Sequence, residues 1–187
     1  MKKIFLLVIT FMLLFVVSSK ADYNSDLKDF ISKMTDKFDT INSIKNKDKW
    51  TTEAYKYANE ILDIKWMSNF ILGKYRRTLT KEQINDFVKY YSIYLLNNYL
   101  KTLALFSKDN VNIVSIEQNK ENVFFTNLTV KANDNNIKIK LRIVKKENIL
   151  YITDIIAENV SFINSQRNEI NSFLDSNGFD ALIEKIK

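Results

Sequence analysis

The chain has 187 residues, of which 46% are hydrophobic and 27% charged, a composition typical of a globular protein. It contains no Cys, His or Pro and only two Gly, which excludes disulfides, Cys or His metal centres, Ser-His-Asp triads and glycine-rich phosphate loops. The net charge is +6, but without three N-terminal lysines the chain has 25 basic and 22 acidic residues. The two signs are interleaved, which argues against nucleic-acid binding.

The first 21 residues have the three parts of a secretory signal peptide. Two lysines near the start supply positive charge, residues 4–17 form an apolar run, and Ser19 and Ala21 are the small residues that a signal peptidase reads. The apolar run is shorter than the ~20 residues that a membrane span needs. The pattern predicts export with cleavage before Asp22, and the alternative is an uncleaved membrane anchor.

Helical periodicity begins after this segment. Apolar residues of 22–44 recur at steps of three and four, and after a polar break the same pattern predicts helices over 51–62 and 64–72. Gly73 then leads into a basic, aromatic elbow. Arg76 and Arg77 in this elbow could hold a phosphate, or they could only stabilise the C-terminal end of the preceding helix.

A long helix is predicted to begin at Lys81, because Thr80 and Gln83 have the spacing of a capping box. Its apolar residues lie on one face, and further aromatic residues widen that face until it must be covered by protein or ligand. Core packing is the usual explanation. Several tyrosine hydroxyls are costly in a sealed core, however, and apolar walls with a few hydroxyls also suit an amphipathic ligand.

From residue 110 the apolar pattern changes to a period of two, which predicts β-strands. The four predicted strands are 111–116, 123–130, 137–144 and 150–156. Short turns join them, so they should form an antiparallel meander. In the second strand, Phe125, Leu128 and Val130 are the candidates for inward positions.

Helix returns at the C-terminus. Ser161 is predicted to cap a helix over 162–176, Gly178 suits a left-handed C-cap, and a short helix should follow over 179–186. Helices, then strands, then helices indicate an α+β fold. We predict one domain over residues 22–187, with a twisted antiparallel sheet of about four strands and helices packed on one side.

The remaining candidates for chemistry are two carboxylates. Asp154 lies among strand residues, where a lone carboxylate is usually solvated or hydrogen-bonded, and Glu158 precedes the capping Ser161, where it could compensate the helix dipole. An enzyme using Asp154 or Glu158 as a base is the alternative hypothesis, and a deep pocket holding a carboxylate of raised pKa would favour it. A third hypothesis is an interaction module with a filled core.

Two blocks of sequence resemble the MlaC family, also called the toluene-tolerance auxiliary family. The elbow and long helix (71–99) are similar to the family patterns LGxYxxxxTxxQ and FxxxFxxYLxxxY, and residues 154–161 are similar to DxxxEGVS. Three positions depart from the family: Leu150 and Thr153 replace common aromatic residues, and Asn159 replaces Gly. Asn tolerates positive φ, so the loop should be kept, whereas the lost aromatic residues could reshape the pocket.

The resemblance implies a phospholipid carrier of the periplasm, not an enzyme, with bound phospholipid as cargo and no cofactor or metal. Such a carrier shuttles lipid between an outer-membrane lipoprotein–porin complex and the inner-membrane Mla ABC transporter complex, which maintains outer-membrane lipid asymmetry. We expect a monomer with a deep apolar pocket for acyl chains, and Arg76 and Arg77 as headgroup or docking residues. The predicted pocket walls are Phe70, Ile71, Tyr75, Phe87, Tyr91, Leu95, Tyr99, Leu141, Ile143, Ile152, Ile155, Val160 and Ile163.

Overall fold

The computed structural model describes residues 23–103, 105–132 and 135–187, and of Asn98, Tyr99, Lys101 and Leu103 it describes the backbone alone. The predicted signal peptide and the cleavage position before Asp22 lie outside these residues. Within the described ranges, no helix is both long enough and apolar enough to cross a membrane.

Helices make up the first half of the described chain, as the sequence predicts. They are α1 (Tyr23–Asn42), α2 (Lys47–Ile61), α3 (Ile64–Leu72), a 3-10 helix (Gly73–Arg77) and α4 (Lys81–Leu103). Helix α2 begins four residues before its predicted start, because the Asn46 side chain accepts a hydrogen bond from the Lys49 amide at 2.9 Å and caps it there.

The capping box of α4 is confirmed in both directions. The Gln83 amide donates to Thr80 Oγ1 at 3.2 Å, and the Thr80 amide donates to Gln83 Oε1 at 3.0 Å. Each bond satisfies a backbone N–H that the helix leaves without a partner, so this local pattern sets where α4 begins.

The strands form one antiparallel sheet in the order β1-β2-β3-β4-β5. They are β1 (Val111–Lys120), β2 (Val123–Ala132), β3 (Asn135–Lys146), β4 (Ile149–Ala157) and β5 (Val160–Ser161). The sequence predicts four strands, and the fifth is a two-residue strand, too short for periodicity to reveal. Glu158 and Asn159 join it to β4 with φ of 46° and 67°, the two-residue turn typical of tight hairpins. The expected positive φ of Asn159 is therefore confirmed.

One face of the sheet is buried and carries the alternate residues of β2 and β3. Phe124 pairs with Ile143 and Leu128 pairs with Ile139, and all four are buried. The prediction that Phe125 points inward is wrong, because the period of two places it on the other side of β2 from Leu128 and Val130. Phe125 lies on the other face, where the Lys140 Nζ is 5.7 Å from its ring centre.

A β-bulge changes which residues of β4 face the helices. The pairing of β3 with β4 shifts between Arg142 and Ile143, so that Ile152 pairs with Ile143 and Ile155 pairs with Leu141. In a regular strand, two residues three apart would face opposite sides. The extra residue of the bulge places Ile152 and Ile155 on the same, inward face.

The last helix, α5 (Phe162–Ile186), begins directly after β5. The Ser161 side chain caps it by accepting from the Asn164 amide at 3.3 Å. Gly178 has φ 79° and ψ 177° and kinks the helix at the predicted boundary between its two segments. Helices α2, α3 and α5 contact β4, α1 contacts β1, and α4 packs against α2, α3 and α5. The described structure is therefore an α+β fold, as predicted.

Candidate functional site

An apolar cavity of about 290 Å³, partly open to solvent, lies between the helices and the end of the sheet where β4 turns into β5. Among the side chains that the structure describes, its lining residues are Leu62, Met67, Leu95, Thr102, Ile139, Ile155, Ala157, Val160, Phe162 and Ser165. The polar side chains of this lining are the hydroxyls of Thr102 and Ser165. A cavity with this lining can hold an apolar chain and offers little to a charged group.

The walls follow from the strand and turn geometry. Ile139 pairs with Ala157, and this pair faces the helices at the end of the sheet. The two-residue turn then places Val160, which is 62% exposed, at the rim. Because α5 begins directly after β5, its first residues complete the wall.

The structure brings three of the predicted pocket residues, Leu95, Ile155 and Val160, to the cavity. A larger group is buried in the surrounding core but does not line the cavity: Ile71, Phe87, Tyr91, Leu141, Ile143, Ile152 and Ile163. Phe70 and Tyr75 are half-buried against α5, and the side chain of Tyr99 is outside the described part. The assignment of all these predicted pocket residues to lipid binding stays a prediction.

Seven lining residues were not among the predicted ones: Leu62, Met67, Thr102, Ile139, Ala157, Phe162 and Ser165. Two sequence signals could have found some of them. Ile139 belongs to the same alternating run as Leu141, and Ala157 and Phe162 flank the turn that the second family block contains. Leu62 carried no such signal, because it reaches the site through a parallel bridge to Ile152.

Tyr91 illustrates how the core accommodates the hydroxyls of α4. It is 0% exposed, its ring stacks on Phe87 with centroids 5.0 Å apart, and its hydroxyl donates to Gln166 Oε1 at 3.0 Å. The partner on α5 removes the desolvation cost that a sealed hydroxyl would otherwise carry. Tyr91 therefore belongs to the interface between α4 and α5.

One face of α5 holds the elbow in place. The Arg167 guanidinium lies 4.9 Å from the Phe70 ring centre, and Asn171 Nδ2 donates to the Ile71 carbonyl at 2.7 Å. One turn further, Asp175 accepts from Lys74 Nζ at 3.0 Å and from the Tyr75 hydroxyl. Because these α5 residues are four apart, they form one stripe. Arg76 and Arg77 of the same elbow are exposed and do not line the cavity.

Replacement of Gly73 with Ala should destabilise this elbow by about 1–3 kcal/mol. Gly73 has φ +54°, and an added Cβ would lie 2.8 Å from Arg167 Nε. Gly178→Ala is the matched control, since it also has positive φ (+79°) but nothing lies within 4 Å of its Cβ position. Urea unfolding should give a larger loss for Gly73→Ala. Equal losses would mean that the Arg167 side chain moves away from the added Cβ without lowering the free energy of unfolding.

Asp154 is 3% exposed and serves the N-terminus of α5. Its Oδ2 accepts from the Ser161 hydroxyl at 2.7 Å and its Oδ1 accepts from the Ile163 amide at 3.2 Å. Burial raises the pKa of the Asp154 carboxyl, while these hydrogen bonds and the nearby Arg142 charge oppose the shift. Both oxygens are engaged and Asp154 does not line the cavity, so the arrangement is that of a helix cap.

Glu158 has a different role from the helix-dipole compensation that its position suggests. It is exposed, and its Oε1 accepts from the Lys138 amide of β3 at 2.7 Å. The same residue's amide donates to the Lys138 carbonyl at 3.0 Å. Glu158 therefore ties the β4–β5 turn to β3.

Asp154→Ala should lower the free energy of unfolding by about 1–3 kcal/mol, because two donors lose their acceptor. Asp154→Asn should cost less, since an amide oxygen can still accept from the Ile163 amide.

The raised pKa of Asp154 means that the folded state binds this proton more tightly than the unfolded state, so the wild type loses stability as pH rises above 3.8. Urea unfolding from pH 4 to 7 should therefore show that the free energy of unfolding of the wild type falls relative to that of Asp154→Asn as the pH rises. A constant difference would contradict the raised pKa.

The departures from the family pattern do not reach the cavity. Thr153 is buried at the bulge, where its Oγ1 accepts from Arg142 Nη1 at 2.5 Å, and neither Thr153 nor Leu150 lines the cavity. The described ranges also contain no cluster of three or more acidic residues placed to hold a metal ion. The chemistry that the site offers is therefore apolar contact.

Comparisons with known proteins agree with this fold. The chain is similar to a phospholipid-binding protein from Ralstonia solanacearum, solved in complex with a phospholipid, with a TM-score of 0.67 and 15% identity over 90% of this chain and 94% of that chain. The two therefore share a fold. A search of curated proteins found no match. The model of the MlaC protein family matches residues 27–187, so this chain belongs to the MlaC family.

Proposed function

We propose that this protein is a phospholipid carrier of the periplasm that shelters acyl chains in the apolar cavity. The observation that carries the proposal is the cavity lining, in which eight apolar residues and two hydroxyls of the described part of the chain border about 290 Å³. Membership of the MlaC family and the phospholipid bound by the Ralstonia solanacearum neighbour support it.

The energetics explain why such a carrier needs walls of this kind. A two-chain lipid has roughly thirty methylenes, and at ~0.8 kcal/mol each their exposure to water costs more than about 20 kcal/mol. The cavity, at about 290 Å³, is just below the roughly 300–1,000 Å³ that ligand sites occupy, so it encloses part of such chains. We therefore assign the interior to acyl-chain segments and leave the polar headgroup outside, at the rim near Val160.

Catalysis does not form part of the proposal. No carboxylate among the described residues lines the cavity, and the buried Asp154, whose raised pKa could suit a base, has both oxygens engaged at the start of α5. A general base must reach its substrate within hydrogen-bond distance. We therefore propose binding without catalysis.

The wider role in the cell rests on the family. We propose that residues 1–21 are removed before Asp22, and that residues 22–187 act as one monomeric domain. This domain would carry lipid between an outer-membrane lipoprotein–porin complex and the inner-membrane Mla transporter, which maintains outer-membrane lipid asymmetry. Arg76 and Arg77 are exposed and do not line the cavity, which favours docking over headgroup binding.

Native mass spectrometry of the protein, purified from the periplasm without detergent, tests the proposal. We expect a protein peak with an added mass of one phospholipid, and the same lipid in an organic extract. An exported protein of the same preparation with a filled core is the control for adhering lipid. A bare protein peak and a lipid-free extract would contradict carriage of phospholipid.

A further inference from the structure

A second concavity, of about 270 Å³, lies on the other face of the same sheet, and we call it the outer groove. Its polar lining side chains include Asn127, Thr129, Lys138, Lys140 and Asn159. Because side chains alternate along β3, Lys138 and Lys140 point to this face while Ile139 between them contacts the cavity.

The outer groove carries two lysines on its lining, and the Glu117 carboxylate beside it accepts a hydrogen bond from the Asn127 side chain. None of its lining residues is acidic, and Lys138 and Lys140 form no salt bridge to any residue that the structure describes. The nearest turn carboxylate, Glu158, accepts from the backbone amide of Lys138. The Lys140 Nζ lies 5.7 Å from the Phe125 ring centre. Two ammonium groups are thus available to an external anion.

Neutral donors add to these charges. The Asn127 amide nitrogen is already used, since it donates to Ser115 Oγ at 2.8 Å and to Glu117 Oε1 at 2.9 Å. The hydroxyl of Thr129 and the amide of Asn159 have no side-chain hydrogen bond within the described residues. A tetrahedral oxyanion accepts several hydrogen bonds at once, and Lys is a common phosphate ligand.

The outer groove and the cavity lie on opposite faces of the sheet and meet at the same β4–β5 turn. Ala157 and Val160 of this hairpin line the cavity, and Asn159 between them lines the groove. A ligand leaving the cavity at Val160 would pass this turn and meet the two lysines. The apolar cavity and the two lysines therefore follow one another along the β4–β5 hairpin, as the acyl chains and the phosphate do in a phospholipid.

We propose that the outer groove binds the phosphate of the headgroup whose acyl chains occupy the cavity. This inference rests on the proposed function, because it assumes lipid in the cavity. Free inorganic phosphate has the same chemistry, so the test must distinguish the two sources of the anion.

The test compares Lys138→Gln/Lys140→Gln with Lys28→Gln/Lys56→Gln, a matched pair of exposed lysines on α1 and α2 that line neither concavity. The protein with residues 22–187 is stripped of lipid, refolded, and offered equal amounts of phosphatidylglycerol and a diacylglycerol of the same chains. Native mass spectrometry measures the ratio of the two complexes. We expect the wild type and the control to prefer phosphatidylglycerol. In the groove variant, Lys138→Gln/Lys140→Gln, the ratio of phosphatidylglycerol complex to diacylglycerol complex should be about tenfold lower. The thermal unfolding midpoints should agree among the three proteins.

Inorganic phosphate, titrated while amide NMR shifts of residues 138–140 and 159 are followed, provides the second arm. If the groove variant loses phosphate binding but keeps its preference for phosphatidylglycerol, the groove takes free anion only and the proposal is overturned. An unchanged preference in the groove variant together with weaker binding of an acidic protein would assign the groove to a partner and also overturn it. Uptake of neither lipid by the wild type would overturn the proposed function itself, which is a separate result.

Discussion

Replacing Ala157 with Trp is expected to remove lipid from the purified protein. Ala157 is the last residue of β4, pairs with Ile139 and lines the cavity, so a large ring at this position would occupy space that we assign to acyl chains. Displacing two methylenes costs about 1.6 kcal/mol, which already lowers affinity more than about tenfold, and an indole displaces more. Native mass spectrometry should show the variant free of lipid.

The control for this substitution is Ile93→Trp, which adds an indole to the exposed side of α4. Ile93 is 42% exposed and does not line the cavity, so this variant should carry as much lipid as the wild type. Overpacking costs about 1–3 kcal/mol, so thermal unfolding must first show that Ala157→Trp is folded. A folded Ala157→Trp protein with full lipid content would place the acyl chains elsewhere.

Local chemistry explains why much of the fold can be predicted. The reciprocal hydrogen bonds of Thr80 and Gln83, the cap at Ser161 and the positive φ of Asn159 each depend on residues close together in sequence. The change from a period of three or four to a period of two separates helices from strands without reference to the rest of the chain. The α+β class follows from that order.

Strand orientation is where prediction from sequence reaches its limit. Phe124 and Phe125 are adjacent, so one must face each side of β2, and the period of two assigns Phe124 to the side of Leu128 and Val130. Its pairing with the buried Ile143 agrees. By contrast, only the bulge brings Ile155 to the inward face. That outcome depends on contacts between strands, which the sequence of one strand does not contain.

The candidate site could be predicted as a region but not residue by residue. An apolar surface larger than one core requires was visible in α4, yet whether a given side chain meets empty space or another side chain depends on its partners. Tyr91 meets Gln166 and Phe87, whereas Leu95, one turn along the same helix, meets the cavity. No periodicity distinguishes these two residues.

Truncation of Tyr91 should have the largest effect on stability. The residue is fully buried, and Tyr91→Ala should lower the free energy of unfolding by about 3–5 kcal/mol, as large-to-small aromatic changes in cores do. In a chain of this size each kcal/mol lowers the melting temperature by roughly 2–4 °C, so calorimetry should find a fall of about 10 °C.

Tyr91→Phe separates packing from lipid contact. It keeps the ring on Phe87 and removes only the hydroxyl that donates to Gln166, so it should cost about 1–3 kcal/mol, the range for a buried group left without its partner. Because Tyr91 does not line the cavity, its lipid content should equal that of the wild type. Loss of lipid from a stable Tyr91→Phe protein would instead place the Tyr91 hydroxyl in the binding site, and the cavity would then have to extend along α4 when it is loaded.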